Sequence, residues 1–296
     1  MFSVTTYKLE DDDFFWHLNT GKYITENHTV PDKDIFGYST ENTEWIPFEW
    51  GADVLIYNIY NAAGMNGVFI FRSIVFALFY FILFRLLSRL KVNVFITVLL
   101  YFVLLIGIFD RLSPRPHIFT YMLLAVLIYL FFTYRYISRE KYLKRLYSLP
   151  VIFLIWGNLH LGVITGLLIF LIFITSEFID SKRTGIQKND AALIKKNLKV
   201  LLLLFAASAA VLLINPHGIN TYTYAYSHTQ MKMLESIAEW ISPFSDKLQT
   251  TFVISVYKYL LYAGTIIFIY AYKKKDWYFA LLILFFAVYS VRALRF

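Results

Sequence analysis

The sequence predicts an all-α, polytopic helical membrane protein carrying an N-terminal extracytoplasmic loop lobe, and three observations carry that prediction. The first is composition: of 296 residues, 58% are hydrophobic, 20% aromatic and only 16% charged, with a mean hydropathy of +0.57. Soluble domains hold about a quarter charged residues, so soluble enzymes and disordered regulators are excluded. The second is a series of apolar runs, each of about 17 to 21 residues, long enough to cross roughly 30 Å of hydrocarbon as a helix. The third is that charge is segregated along the chain. Residues 1–66 hold three basic residues against eleven acids, a net −8, although the whole chain carries +8. Cysteine is absent, which removes disulfide scaffolds, thiolate zinc sites and cysteine nucleophiles together.

Taken in order, residues 1–66 form the acidic, aromatic lobe and residues 67–296 the transmembrane domain. Clear spans are expected at Val68–Phe84, Val92–Phe109, His117–Phe132, Val200–Ile214, Phe252–Tyr272 and Trp277–Val291. The run Val151–Ile179 is too long for a simple span, and Trp156-Gly157-Asn158-Leu159-His160 interrupts it with polar groups. Basic residues stay in the cytoplasm. The clusters around Arg85, Arg135, Lys182 and Lys273 all face inward only if the chain between the second and third enters and returns on one side. A hairpin of two short helices near 149–177, with its vertex at Asn158–His160, achieves this. One long tilted helix is the alternative, and it would place the Lys273 cluster outside. With the hairpin, 17 basic residues less five acids give the inner face +12. The surplus is therefore topology charge, and nucleic-acid binding is set aside. Met1–Glu10 holds neither a signal-peptide core nor a spanning helix, so a first transmembrane helix, and a further C-terminal part, are expected to be missing.

Polar residues that spans do not need gather on the predicted outer face. Asp11-Asp12-Asp13 precede Phe14-Phe15-Trp16-His17. Adjacent carboxylates repel, which raises the pKa of at least one and suits a general base; the same three could hold a divalent cation such as Mg or Mn through oxygen ligands. An acidic solvated loop is the plain alternative. Arg115, His117, His160, His217, Arg292 and Arg295 are outer cations or donors, and His160 beside Asn158 sits in an apolar run where an ionisable group needs a partner. Arg72, about one turn into its span, and Lys258, about two turns into its own, can snorkel to headgroups; Lys258 could instead reach a lipid phosphate.

An acidic pair before Trp-His-x-x-Thr-Gly, then Pro-x-x-Asp-x-Phe, then Glu49-Trp50, then Gly64 leading into a span, resembles the first extracytoplasmic loop of GT-C fold glycosyltransferases. The closer likeness is to the bacterial branch that uses polyprenyl-phosphate-linked sugars. Arg115-Pro116-His117, Trp156 to Gly162, Asn215-Pro216-His217-Gly218 and Glu239-Trp240-Ile241-Ser242-Pro243 occur in the same order as in that branch, so the likeness covers nearly the whole chain. The resemblance implies an inverting sugar transfer at the extracytoplasmic face of the cytoplasmic membrane, from a polyprenyl-phosphate-sugar donor to a lipid, glycan or protein acceptor. It maps the general base to Asp11 first and Asp13 second, the same two being the ligands if a metal takes part. Asp12, His17, Glu49, Arg115, His117, Asn158, His160, His217, Glu239, Lys258 and Arg292 are the expected substrate-binding residues. A transporter or lipid-carrier flippase is the competing class, disfavoured because no two-fold repeat is evident. A scaffold that kept the fold without the chemistry is the other.

Overall fold

In a computed structural model the described residues are 12–108, 111–183, 188–231, 241–246 and 252–291. They form helices α1 (Asp12–Asn27), α2 (Trp50–Arg89), α3 (Val94–Ile108), α4 (His117–Tyr136), α5 (Arg139–Leu146), α6 (Leu149–Leu159), α7 (Val163–Lys182), α8 (Lys188–Ala210), α9 (Asn220–Thr229), α10 (Phe252–Lys273) and α11 (Trp277–Val291). No strand occurs among the described residues beyond one isolated bridge, Lys33 to Glu44. Among the described residues five helices are long and apolar enough to cross a membrane, an all-helical architecture compatible with a polytopic membrane protein.

α2 is two helices in one. Gly64 interrupts it at φ 61°, ψ −161°, a region open only to glycine, and so separates a lobe helix, 50–63, from the span that follows. The lobe helix is covered by α1, which presents Phe14, His17, Gly21 and Ile24 on one face at helical spacing. Gly21 is required by close approach, since a Cβ there would lie 2.0 Å from the Asp53 carbonyl oxygen. Phe14, Ile56 and Val68 make the small core beneath, all nearly inaccessible to solvent. The lobe is thus built on two packed helices where the sequence predicts a loop, because an i, i+3, i+4 stripe is masked by the flanking acids and exposed rings. Between them, the Asp34 carboxylate accepts from the Phe36 and Gly37 amides and the Thr40 hydroxyl, which holds its pKa below the usual value.

The main core is a continuous set of apolar side chains from α2 through α8 and α11, with Phe131, Phe153, Trp156, Phe170, Phe173 and Tyr278 fully buried. Phe131 stacks on Phe173 at 4.2 Å between centroids. The 151–179 run breaks where its polar residues lie: α6 ends at Leu159, and His160 turns extended at φ −165°, ψ 141°. α7 returns antiparallel, with Phe153 and Trp156 against Gly166 and Phe153 near Phe170. The second arm is longer than a short-hairpin reading allows, running 20 residues to Lys182. α6, of 11 residues, climbs only ~16 Å, about half the ~30 Å of the 20-residue α7.

Two further expectations are corrected. α8 begins at Lys188 rather than Val200; Ile194, Asn197, Leu201 and Leu204 form its buried stripe, while Lys195, Lys196 and Lys199 stay exposed and depress its hydropathy. Arg72 does not snorkel. It is 2% exposed, donates from Nη1 to the Leu112 carbonyl at 2.9 Å and lies over the Phe69 ring.

At the end of the bundle away from the lobe, Arg135 and Arg139 enclose two buried acids. Arg135 meets Glu177 at 2.6 Å and Asp180 at 2.9 Å, and Arg139 meets Glu177 at 2.9 Å. Asp276 joins through Arg135 at 3.5 Å and through the Tyr136 hydroxyl at 2.9 Å. This network ties α4, the start of α5, α7 and the start of α11 together.

Candidate functional site

At the lobe end, four separate stretches converge. α1 supplies Asp13, Trp16 and His17, the start of α2 supplies Asp53 with Glu49 just before it, the 111–116 loop supplies Arg115, and the turn between α6 and α7 supplies His160. His17 Nδ1 lies 2.8 Å from Asp53 Oδ1, and the Asp53 side chain is almost inaccessible. Burial alone would lower the His17 pKa, but the hydrogen bond and charge of Asp53, with Glu49 behind it, hold it above its ordinary value. His17 therefore donates to Asp53 and clamps α1 to α2. Asp13 pairs with Arg115, which closes the first acidic stretch onto the loop that opens α4.

Glu49 stands one helical turn before Asp53, so both carboxylates share a face. Its side chain is 23% exposed, and Oε1 faces His160 Nε2 at 3.8 Å. Burial pushes its pKa up to about 7; His17 opposes the rise and Asp53 adds to it. Beside it lies a pocket of about 140 Å³ lined by Trp16, His17, Trp45, Ile46, Pro47, Phe48, Glu49, Asp53 and Tyr224. Trp16, Phe36 and Trp45 meet edge to face at 5.3–6.1 Å, and Phe48 leans on Tyr224. Four aromatic rings and three ionisable groups thus share one small cleft, the arrangement common to small-molecule sites.

Asn158 is the joint that docks the hairpin. Its Oδ1 accepts from Trp50 Nε1 at 3.0 Å, and its Nδ2 donates to the Leu154 and Ile214 carbonyls at 2.9 and 3.0 Å. With these polar groups satisfied, its role here is to hold the vertex against the start of α2 and the end of α8. Asn215 does similar work in Asn215-Pro216-His217-Gly218. Its Oδ1 accepts from the His217 amide and the Thr221 hydroxyl, and its Nδ2 donates to the Leu212 and Gly218 carbonyls.

The other expected site residues are placed as follows. His117 Nε2 donates to the Arg111 carbonyl at 2.9 Å, bracing the loop that carries Arg115. His217 lies outside the pocket lining, and burial lowers its pKa against the pull of Asp32. Lys258 sits over the Phe244 ring at 5.5 Å, so it is not brought to the pocket. Asp12 opens α1. Asp11, Glu239, Arg292 and Arg295 lie outside the described residues. Among the described residues no group of three His, Asp or Glu side chains is placed to hold a metal ion.

His160 is a special case. Burial drives its pKa down to about 3, so this imidazole is neutral and cannot serve as the cation that its position in the sequence suggested. Asp53 and Thr120 are the functional candidates that the sequence reading passes over. Asp53 was visible in principle, because Glu49 and Asp53 are an i, i+4 acidic pair; Thr120 carries no sequence signal at all.

No protein-family model matches this chain, and neither a curated protein nor a solved structure matches it.

Proposed function

We propose that the protein is an integral-membrane glycosyltransferase that moves a sugar from a polyprenyl-phosphate carrier to a hydroxyl acceptor, with the lobe on the extracytoplasmic side. The observation that carries this reading is the pocket, where Glu49, Asp53 and His17 stand among Trp16, Trp45, Phe48 and Tyr224 at one end of an apolar bundle. Aromatic faces accommodate the C–H faces of a sugar ring, and carboxylates accept from its hydroxyls. A lipid-borne donor reaches such a pocket from the bilayer without leaving it.

The reaction needs two things of the chain, a base and a cation. The acceptor oxygen bonds to the anomeric carbon as the bond from that carbon to the phosphate oxygen breaks, and its electron pair leaves with the lipid phosphate. The acceptor's proton passes to a carboxylate. The sequence resemblance nominates Asp11 and Asp13; Asp13 is engaged by Arg115, while Glu49 has its carboxylate on the pocket wall, which makes Glu49 the better placed acid among the described residues. The departing phosphate gathers negative charge, and Arg115 is the guanidinium nearest these groups, felt by both His17 and Glu49.

The test uses membranes holding the full chain and a panel of radiolabelled polyprenyl-phosphate hexoses. Consumption of one carrier is expected, with Glu49→Gln slowing it at least about 100-fold, in the range that general-base loss gives, and Asp11→Asn and Asp13→Asn assayed beside it. Folded parent protein that consumes no carrier refutes the transferase reading.

A further inference from the structure

The turn between α6 and α7 holds a chain of hydrogen bonds whose donors are unambiguous. Trp156 Nε1 can only donate, and it lies 2.9 Å from Thr120 Oγ1. The Thr120 oxygen accepts that proton, which leaves its own hydroxyl hydrogen for His160 Nδ1, 2.9 Å away. The Gly162 amide, another obligate donor, points at the same Nδ1 from 2.8 Å. Two donors converge on one ring nitrogen, so that nitrogen must carry a lone pair. The single imidazole proton is then on Nε2, the atom that faces Glu49 Oε1 at 3.8 Å.

We propose that Trp156, Thr120 and Gly162 lock His160 as a neutral Nε2–H imidazole, and that this N–H, turned toward Glu49 Oε1 across 3.8 Å and so beyond a direct hydrogen bond, is a positioning group that acts on the Glu49 carboxylate through its dipole. The role ascribed to Glu49 rests on the transferase reading; the lock does not. A histidine that shuttled protons would have to protonate Nδ1, displacing both the Gly162 amide and the Thr120 hydroxyl. His160 is therefore a fixed donor rather than an acid or base, and its protonation stays constant while Glu49 titrates beside it.

The lock also links the membrane helices to the lobe. Trp156 is fully buried in the main core, Thr120 is on the first turn of α4, and Glu49 is the residue from which the lobe helix starts. A carboxylate otherwise placed by a surface loop is thereby referred to two helices of the bundle. The groups facing Glu49 from the surrounding elements are His17 on α1, Asp53 on α2, Arg115 on the 111–116 loop and His160 itself.

Protein labelled with ¹⁵N-histidine in bilayers decides the lock by NMR. The His160 resonances, identified by their loss in His160→Gln, are expected to show a bare Nδ1 and a protonated Nε2 throughout pH 5 to 8. An Nδ1–H tautomer, or an imidazolium within that range, overturns the lock. Infrared titration of the Glu49 carboxyl band, identified by its loss in Glu49→Gln, tests the positioning without turnover. The Nε2–H faces the carboxylate at 3.8 Å, too far for a direct hydrogen bond but near enough for its dipole to favour the charged form, so removing it in His160→Leu is expected to move that titration upward, by up to about one pH unit. His160→Gln keeps a side-chain N–H donor and is expected to recover part of the shift, as is Thr120→Ser relative to Thr120→Val. An unmoved Glu49 titration in His160→Leu protein that elutes as the parent does overturns the positioning role. If the lock and the titration shift hold while no polyprenyl-phosphate sugar is consumed, the transferase reading fails on its own.

Discussion

Replacing Glu49 by Gln tests the pocket through stability instead of through chemistry. The Glu49 pKa rises from 4.5 to about 7 on folding. An acid whose folded pKa exceeds its unfolded value binds more protons folded than unfolded between the two, so stability falls as pH climbs through that window. This group therefore destabilises the parent progressively from about pH 4.5 and fully above about pH 7. Two and a half pH units correspond to about 3 kcal/mol. With the side chain 23% exposed, solvent screening brings that nearer about 2 kcal/mol. Gln is close in shape to a protonated Glu, so Glu49→Gln is expected to match the parent near pH 4.5 and to be the more stable protein at pH 8.5. In detergent the gap should open by about 5 °C in Tm. His17 works against this slightly, because part of its raised pKa comes from the Glu49 charge. A Tm difference that stays the same at both pH values would refute the reasoning, since it would mean that Glu49 is ionised in the folded protein as readily as in the unfolded chain.

Three further outcomes are expected. Gly21→Ala places a methyl carbon 2.0 Å from the Asp53 carbonyl oxygen; α1 must lift off α2, costing about 1–3 kcal/mol, and a cysteine introduced at Ile24 should label faster than in the Gly21 parent. Glu177→Gln leaves Arg135 and Arg139 facing a neutral amide in a nearly inaccessible site and is expected to cost about 3–5 kcal/mol, read as lost thermal stability, whereas Glu140→Gln on the exposed side of α5 should change little. The basic end of the bundle is expected to face the cytoplasm, so Lys274→Cys, in a chain without native cysteine, should react with an impermeant thiol reagent only after the membrane is opened; labelling of intact cells would reverse the orientation.

The helices were legible because lipid imposes a crude requirement, a long apolar run, and most of these runs start and stop within a few residues of where charge appears. The same crudeness hid the lobe and the first half of α8. Phe14, His17, Gly21 and Ile24 form a helical stripe only three to four residues in period, set among Asp, Asn and Lys that lower any window average. In α8, Lys195, Lys196 and Lys199 hide Ile194, Asn197 and Leu201 in the same way. The break at His160 was legible for the opposite reason, since Asn158 and His160 are polar exceptions in a run that otherwise has none. What a single sequence does not reveal is pairing across elements. Arg72 read as a headgroup anchor because nothing local announces the Leu112 carbonyl 40 positions away, and Thr120 carries no mark of the imidazole it bonds.

Charge shows the same division. Counting residues assigned Glu177, Asp180 and Asp276 to the basic face as three subtractions from its charge. In the fold they are the counter-ions of Arg135 and Arg139, buried where an unpaired guanidinium would be costly, and they hold α4, α7 and α11 together. At the lobe end the balance is different. Asp13 has Arg115 and Asp53 has His17, whereas Glu49 faces a histidine fixed in its neutral form at 3.8 Å. Among the described residues the buried acids Asp53, Glu177 and Asp180 have each found a cation, so the partly buried Glu49 is the carboxylate with the most to gain from a ligand, and the pocket beside it is where that ligand would sit.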